Sequence, residues 1–296
     1  MSVFLTACGH TRTTCLTFPC RSWCPVAPLR FLAQCLRNVG MVAALLACSG
    51  AALAQNPAAD ELVQKELLNF YQAGKDFQAK VVMRLINAQG SQRERTLNMF
   101  RLNVGKDGDQ RYLMTFEAPA DVRGLGFMVW KYSRKDTERW LYFPALKAVK
   151  RVAADDKRSS FVGSDFTYED ISGRVLDEET HKFVRQENLG ERPVHVVESR
   201  PKTAATYSRR LIWIDRDRYL PLKEEYYDAQ DKLQRTFKAD KVEQIGGNWT
   251  VTQRSMHNTQ SGGRTEVVYQ AIRYDTGLQE DLFTERSLRN PPALQP

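Results

Sequence analysis

Beyond Cys48 the sequence contains no cysteine. All six (Cys8, Cys15, Cys20, Cys24, Cys35 and Cys48) precede residue 49, so the rest of the chain is read as free of disulfides. Cys20 and Cys24 have a metal-like gap, but no second pair and no nearby histidine pair supports zinc. Histidine is scarce as well. After the leader only His181, His195 and His257 remain, on separate predicted strands and without an i, i+4 pair, which is not the spacing of a metal site. No Gly-x-Gly-x-x-Gly opens a helix, which argues against a doubly wound nucleotide-binding fold. Gly163-Ser164-Asp165 lacks the second half of a nucleophile elbow, so Ser164 is a poor candidate nucleophile. Charge of one sign is also lacking. Lys and Arg number 43 against 35 Asp and Glu, and four of the Arg lie in residues 1–54, which hold no acid. The remainder therefore carries 39 − 35 = +4. No basic cluster with interleaved aromatics appears in it, so nucleic acid is not an expected partner.

The apolar run from Val39 to Leu53 is too short to span a bilayer. Arg30 and Arg37 precede it and Ala52-Leu53-Ala54 ends it, the layout of a secretory signal peptide cleaved before Gln55. The alternative is a lipoprotein signal at Leu45-Leu46-Ala47-Cys48, which would tether the protein through Cys48. Residues upstream of the charged flank read as an extension from a misassigned start. Residues 1–54 are thus expected to be a leader and 55–296 one domain.

Asn56-Pro57 reads as a helix start. Leu62, Val63, Leu67, Phe70 and Tyr71 then recur on one helical face up to Gly74, predicting one helix over 57–73. From Phe77 the apolar period becomes two. Strands are expected at 77–86, 93–104 and 111–117, with two or three more between 125 and 151. Seven follow, at 181–188, 194–199, 209–215, 220–227, 233–242, 249–258 and 265–274. Short polar turns join them, which predicts a continuous antiparallel sheet, curled or closed. Residues 154–175 are the one long irregular segment, and a short helix is expected near 278–288. Charges at Arg209, Arg210, Lys223 to Glu225, Lys238, Asp240 and Lys241 read as a solvated outer face.

Alternation places Val81, Met83, Leu85, Met114, Phe116, Phe127, Val129, Trp140 and Trp213 on one side of the sheet. They are the candidate lining of an apolar ligand cavity under the helix, because a curved sheet with one helix cannot fill a wide interior by itself. Packed core explains the same residues equally well. Phe161, Asp165, Phe166, Tyr168 and Asp170 are expected to form a gating loop, pinned by Arg123 to a carboxylate at 165–170.

Pro119-x-Asp121-Val122-Arg123-Gly124-x-Gly126, Trp140-Leu141-Tyr142-x-Pro144-Ala145-Leu146, Arg151 and Ser160-Phe161-x-Gly163-Ser164-Asp165-Phe166-Thr167-Tyr168-Glu169-Asp170 resemble the LolA-like family of outer-membrane lipoprotein-sorting proteins, in a divergent branch. The resemblance extends to Leu220-Pro221-Leu222 and the hairpins that follow. It implies a mainly β (α+β), strongly curved antiparallel sheet, an unclosed half-barrel with helices on its concave face as in LolA and LolB. It further implies export to the Gram-negative periplasm and carriage of lipid or lipoprotein acyl chains, with no cofactor and no enzymatic step, as a monomer. Partners implied are an inner-membrane RND-type exporter or an outer-membrane acceptor. Two other readings stay open: a cation-dependent enzyme acting on lipid through Asp165 or Asp170, and an exporter partner with a packed interior.

Overall fold

A computed structural model describes residues 58–105, 108–203 and 205–295, apart from the side chains at 154 and 155. The signal cleavage at Ala54, the lipidation of Cys48, the upstream extension and the Asn56-Pro57 helix start lie outside the described residues. The described residues belong to one compact unit, Asn56–Pro296.

Helix α1 runs Ala59–Tyr71. Its N-cap is Ala58, which offers no side-chain oxygen, so Asp60 and Glu61 in the first turn supply the favourable charge at the amide end. Thirteen strands follow. β1 (Asp76–Ile86), β2 (Gln92–Val104), β3 (Asp109–Ala118), β4 (Gly126–Lys131), β5 (Glu138–Phe143) and β6 (Ala148–Arg151) form the first series. β7 (Glu179–Leu189), β8 (Arg192–Pro201), β9 (Arg209–Asp215), β10 (Pro221–Tyr227), β11 (Leu233–Ile245), β12 (Asn248–Asn258) and β13 (Arg264–Tyr274) form the second. All pair antiparallel in one sheet of order β6-β5-β4-β3-β2-β1-β13-β12-β11-β10-β9-β8-β7. The first and last strands pair in the middle, with Val81 opposite Tyr269 and Met83 opposite Val267. β6 and β7 are free edges, so the curved sheet stays unclosed.

This order has a consequence for residues 152–178. They leave one edge at β6 and must reach the opposite edge at β7. They do so across the concave face, as a spine holding the short helix α2 (Tyr168–Ser172). Thr167 and Asp170 close a capping box at its start: Thr167 Oγ1 accepts from the Asp170 amide at 3.1 Å, and Asp170 Oδ2 accepts from the Thr167 amide at 2.8 Å. The spine buries Phe161, Phe166, Tyr168 and Ile171 against inner-face residues of both halves of the sheet. Helix α1 covers the inner face near the other edge, where Leu62 and Val63 meet Val197, Ile212 and Ile214.

The outer face of β2–β4 is covered by the C-terminal segment, including helix α3 (Glu285–Arg289). Leu278, Phe283 and Leu288 pack on Phe100, Leu113 and Met128. Asp76 anchors the entry to this segment, accepting from the amides of Thr276, Gly277 and Leu278.

Two placements correct the alternation reading. Trp140 packs in the outer cluster under the C-terminal segment, beside Trp130 at a ring distance of 5.2 Å. Trp213 lies on the outer face of β8–β10 with Val194 and Val196, its Nε1 donating to Glu187. Both strands are apolar at successive positions (Trp140-Leu141, Ile212-Trp213-Ile214). Choosing the wrong member of such a pair moves the side chain to the opposite face.

Candidate functional site

The other seven predicted lining residues share the inner face. Val81, Met83, Met114, Phe116, Phe127 and Val129 belong to one buried cluster, with Leu85 packed against it half-buried. The spine fills the space in front of them. Phe161 lies 5.4 Å from the Phe127 ring and 6.0 Å from the Phe116 ring, and Tyr168 lies 5.1 Å from Phe127. These side chains form packed core, and none of them lines the pocket described below. The gate expectation is corrected in the same way. Phe161, Phe166, Tyr168 and Asp170 are buried, and Asp165 is tied down by Thr265, whose hydroxyl donates to its carboxylate at 2.8 Å. Residues 160–172 are a fixed spine rather than a lid. Arg123 does not reach them: its Nε donates to the Glu117 carbonyl at 3.1 Å, and among the described residues no ion pair joins it to Asp165, Glu169 or Asp170.

The carboxylates of the spine meet other arginines. Asp170 is bridged by Arg174 at 2.6 Å and Arg235 at 2.9 Å, while Glu169 meets Arg174 at 3.3 Å and Lys157 at 3.5 Å. Arg210 pairs with Glu179 at 2.7 Å and Glu224 at 3.1 Å, and Tyr207 donates to Glu179 at 2.8 Å. Burial alone would raise the Asp170 carboxyl, but Arg235 and Arg174 hold it well below the carboxylate range. Glu179 is likewise held at about 2 against its burial, by Arg210 and then Arg174. With Asp170 engaged by two guanidinium groups and Asp165 by the Thr265 hydroxyl, both are poorly placed to bind a cation. Among the described residues no group of three or more His, Cys, Asp or Glu forms a metal set.

Sequence reasoning missed the arginines of this network, Arg174, Arg210 and Arg235. Arg210 and Glu224, read as solvated, are buried at 2% and 6% exposure. Strand alternation carried the signal, since Arg210 shares a face with Ile212 and Ile214. Glu66 of α1 points into the same network, with Oε2 unbonded. Burial, and then the neighbouring Glu224, push its carboxyl up to about 8.

Beside the network, where α1 ends, a pocket opens between the helix and the sheet. Phe70 and Tyr71 form one wall. Phe77, Met99, Tyr269 and Tyr274 form the opposite wall, Arg254 lies within, and Trp249 stands at the rim, 38% exposed. The free space is about 60 Å³, room for a few waters. The end of α1 is held by Arg101, which donates to the Tyr71 carbonyl at 2.6 Å and also to that of Ala73. Gln110 adds a bond to the Tyr71 carbonyl at 2.8 Å.

A family model whose description reads "uncharacterized protein" matches residues 108–290. A DUF1329 family protein of Desulfovibrio piger has a crystal structure 31% identical in sequence, covering 78% of this chain and 97% of that one, with a TM-score of 0.72. The chain belongs to the DUF1329 family. A putative outer membrane lipoprotein-sorting protein domain of Vibrio parahaemolyticus is similar to this DUF1329 chain to the same degree, 31% identical over 78% of this chain and 98% of that one, at a TM-score of 0.72. A LolA superfamily protein of Nitrosomonas europaea is 18% identical over 78% and 99% of the two chains, at 0.61. That likeness shows a shared fold. No curated protein matches the chain.

Proposed function

We propose that this protein is a periplasmic carrier that shelters an acyl chain of a lipid or lipoprotein without catalysing a reaction. The observation that carries the reading is the aromatic pocket between the last turn of α1 and the inner face of an unclosed sheet. Kinship with a putative lipoprotein-sorting domain supports it, as does the expected signal peptide.

The pocket as it stands is a closed form. Transferring an acyl chain out of water gains about 0.8 kcal/mol per CH₂, so a chain of ordinary length can repay displacement of the last turn of α1. The spine and its buried ion pairs stay in place while the helix end moves. Glu66 biases α1 towards release. Burial and Glu224 raise its carboxyl to about 8, which favours the neutral form while the helix is closed.

Titration with a neutral polarity-sensitive probe such as N-phenyl-naphthylamine tests the reading. Saturable enhancement that a long-chain ester reverses is expected. The second reading is a packed partner of an RND-type exporter, favoured by the filled inner face. A titration that stays flat selects it.

A further inference from the structure

Most buried cations of the concave face have protein oxygens to bond. Arg174, Arg210 and Arg235 meet carboxylates, while Arg101 and Lys131 meet carbonyls. Arg254 on β12 differs. It is 5% exposed, and its guanidinium lies among three rings, 5.0 Å from Phe166, 5.4 Å from Tyr269 and 5.7 Å from Phe70. Its Nε is buried without a partner. No hydrogen bond or ion pair to any described residue accompanies the ring contacts. The side chain lines the pocket at the end of α1, and no Asp or Glu lines that pocket with it.

An unpaired guanidinium taken out of water is costly, and ring faces offset only part of that cost. Its planar fork matches a carboxylate or a phosphate. The free space beside it is sized for a small polar group, while the walls are Phe77, Met99, Tyr269 and Tyr274. The other cation of the lining, Arg101, is taken up by the Tyr71 and Ala73 carbonyls, and Arg218 stacks on the rim residue Trp249 at 3.8 Å.

We propose that Arg254 receives the anionic head, carboxylate or phosphate, of a single-chain amphiphile whose apolar chain lies along the aromatic wall of this pocket. The proposal rests on the carrier reading and adds a head-group specificity to it. Arg254 acts as the counter-charge, and the ring cage around it keeps the head out of bulk water. Displacement of Phe70 with the end of α1 makes room for the chain.

The test compares dansyl-undecanoic acid with its methyl ester on the full exported protein. Wild type should bind the acid at least about tenfold more tightly, the usual worth of a charge-assisted hydrogen bond. Arg254→Met should bring the acid down to the affinity of the ester and leave the ester unchanged. Arg254→Lys, which keeps the charge without the fork, should retain part of the preference. Dodecanoate and dodecyl phosphate should displace the probe, whereas acetate and inorganic phosphate, which lack the chain, should not. If wild type binds acid and ester equally, or a folded Arg254→Met still prefers the acid as wild type does, the head-group proposal fails and the carrier reading stands. If wild type binds neither, the carrier reading fails with it. Should Arg254→Met not fold, the wild-type pair and the lysine variant decide. A lysine variant whose preference for the acid is smaller than that of wild type supports the fork, and one indistinguishable from wild type overturns it.

Discussion

Replacing Glu66 by Gln should make the protein more stable, and increasingly so as the pH rises. Glu66 sits on α1 at 1% exposure. It faces Glu224 of β10, Arg210 of β9, Arg174 at the end of the spine and Glu179 of β7. Burial first, then Glu224, raise its carboxyl from 4.5 to about 8, with Arg210 and Arg174 acting in the opposite direction. Between those values the folded chain keeps a proton that the unfolded chain has lost. Stability from this group is therefore complete below 4.5 and falls as the pH rises towards about 8. The slope is about 1.4 kcal/mol per pH unit, so the loss by pH 7 is roughly 3 kcal/mol. Gln keeps the shape and does not titrate. Urea unfolding of both proteins from about pH 5 to about pH 8 should show the two nearly equal at the acid end. Gln should lead by roughly 3 kcal/mol near neutrality. A gap independent of pH, or a variant weaker throughout, would show that Glu66 is ionised and paired in the folded state, and would refute the reasoning.

Asp170→Ala takes from Arg235 its carboxylate, leaves Arg174 with Glu169 alone and removes half of the capping box; denaturant unfolding should show a loss of about 3–5 kcal/mol. Phe127→Ala, deleting a fully buried ring packed edge-on against Phe161 and tilted against Tyr168, should cost about 3–5 kcal/mol by the same assay, whereas a cost well under 1 kcal/mol would mean that this face is open after all. Below 4.5 the pH dependence should reverse: Glu179, held at about 2 by Arg210 and Arg174, contributes stability that is present above 4.5 and disappears as the pH falls towards 2, and thermal melts in acid should show a Glu179→Gln variant lacking this step. Trp249 is at the pocket rim, while Trp140 and Trp213 are on the outer face; Trp249→Phe should therefore remove most of the energy transfer from protein to a bound dansyl probe.

The strands were legible because each has its own period and its own turns. The predicted strands from 77–86 to 265–274 match β1 to β13 to within a few residues. Their order was not legible. Nothing local tells β13 to pair with β1 rather than with a closing edge strand, and that choice turns residues 152–178 from a loop beside the sheet into a spine across it. The concave apolar face was placed correctly on β1, β3 and β4, although Phe127 to Trp130 of β4 is apolar on both faces and would accept either register. It failed at Trp140, where the apolar Leu141 follows, and at Trp213, which Ile212 and Ile214 flank. The buried charges were misread for a different reason. Composition places Arg210 and Glu224 in water, and only tertiary pairing across β7, β9 and β10 shows that they satisfy one another. Arg254 gave no sequence signal at all, because its distinguishing property is the partner it lacks among the described residues.

Native mass spectrometry of the protein purified from the bacterial envelope tests the central claim most directly. The carrier account predicts a species heavier than the bare chain by the mass of one amphiphile, which is released on addition of a competing long-chain acid. A bare chain that also takes up no acyl-chain probe when one is supplied would contradict it.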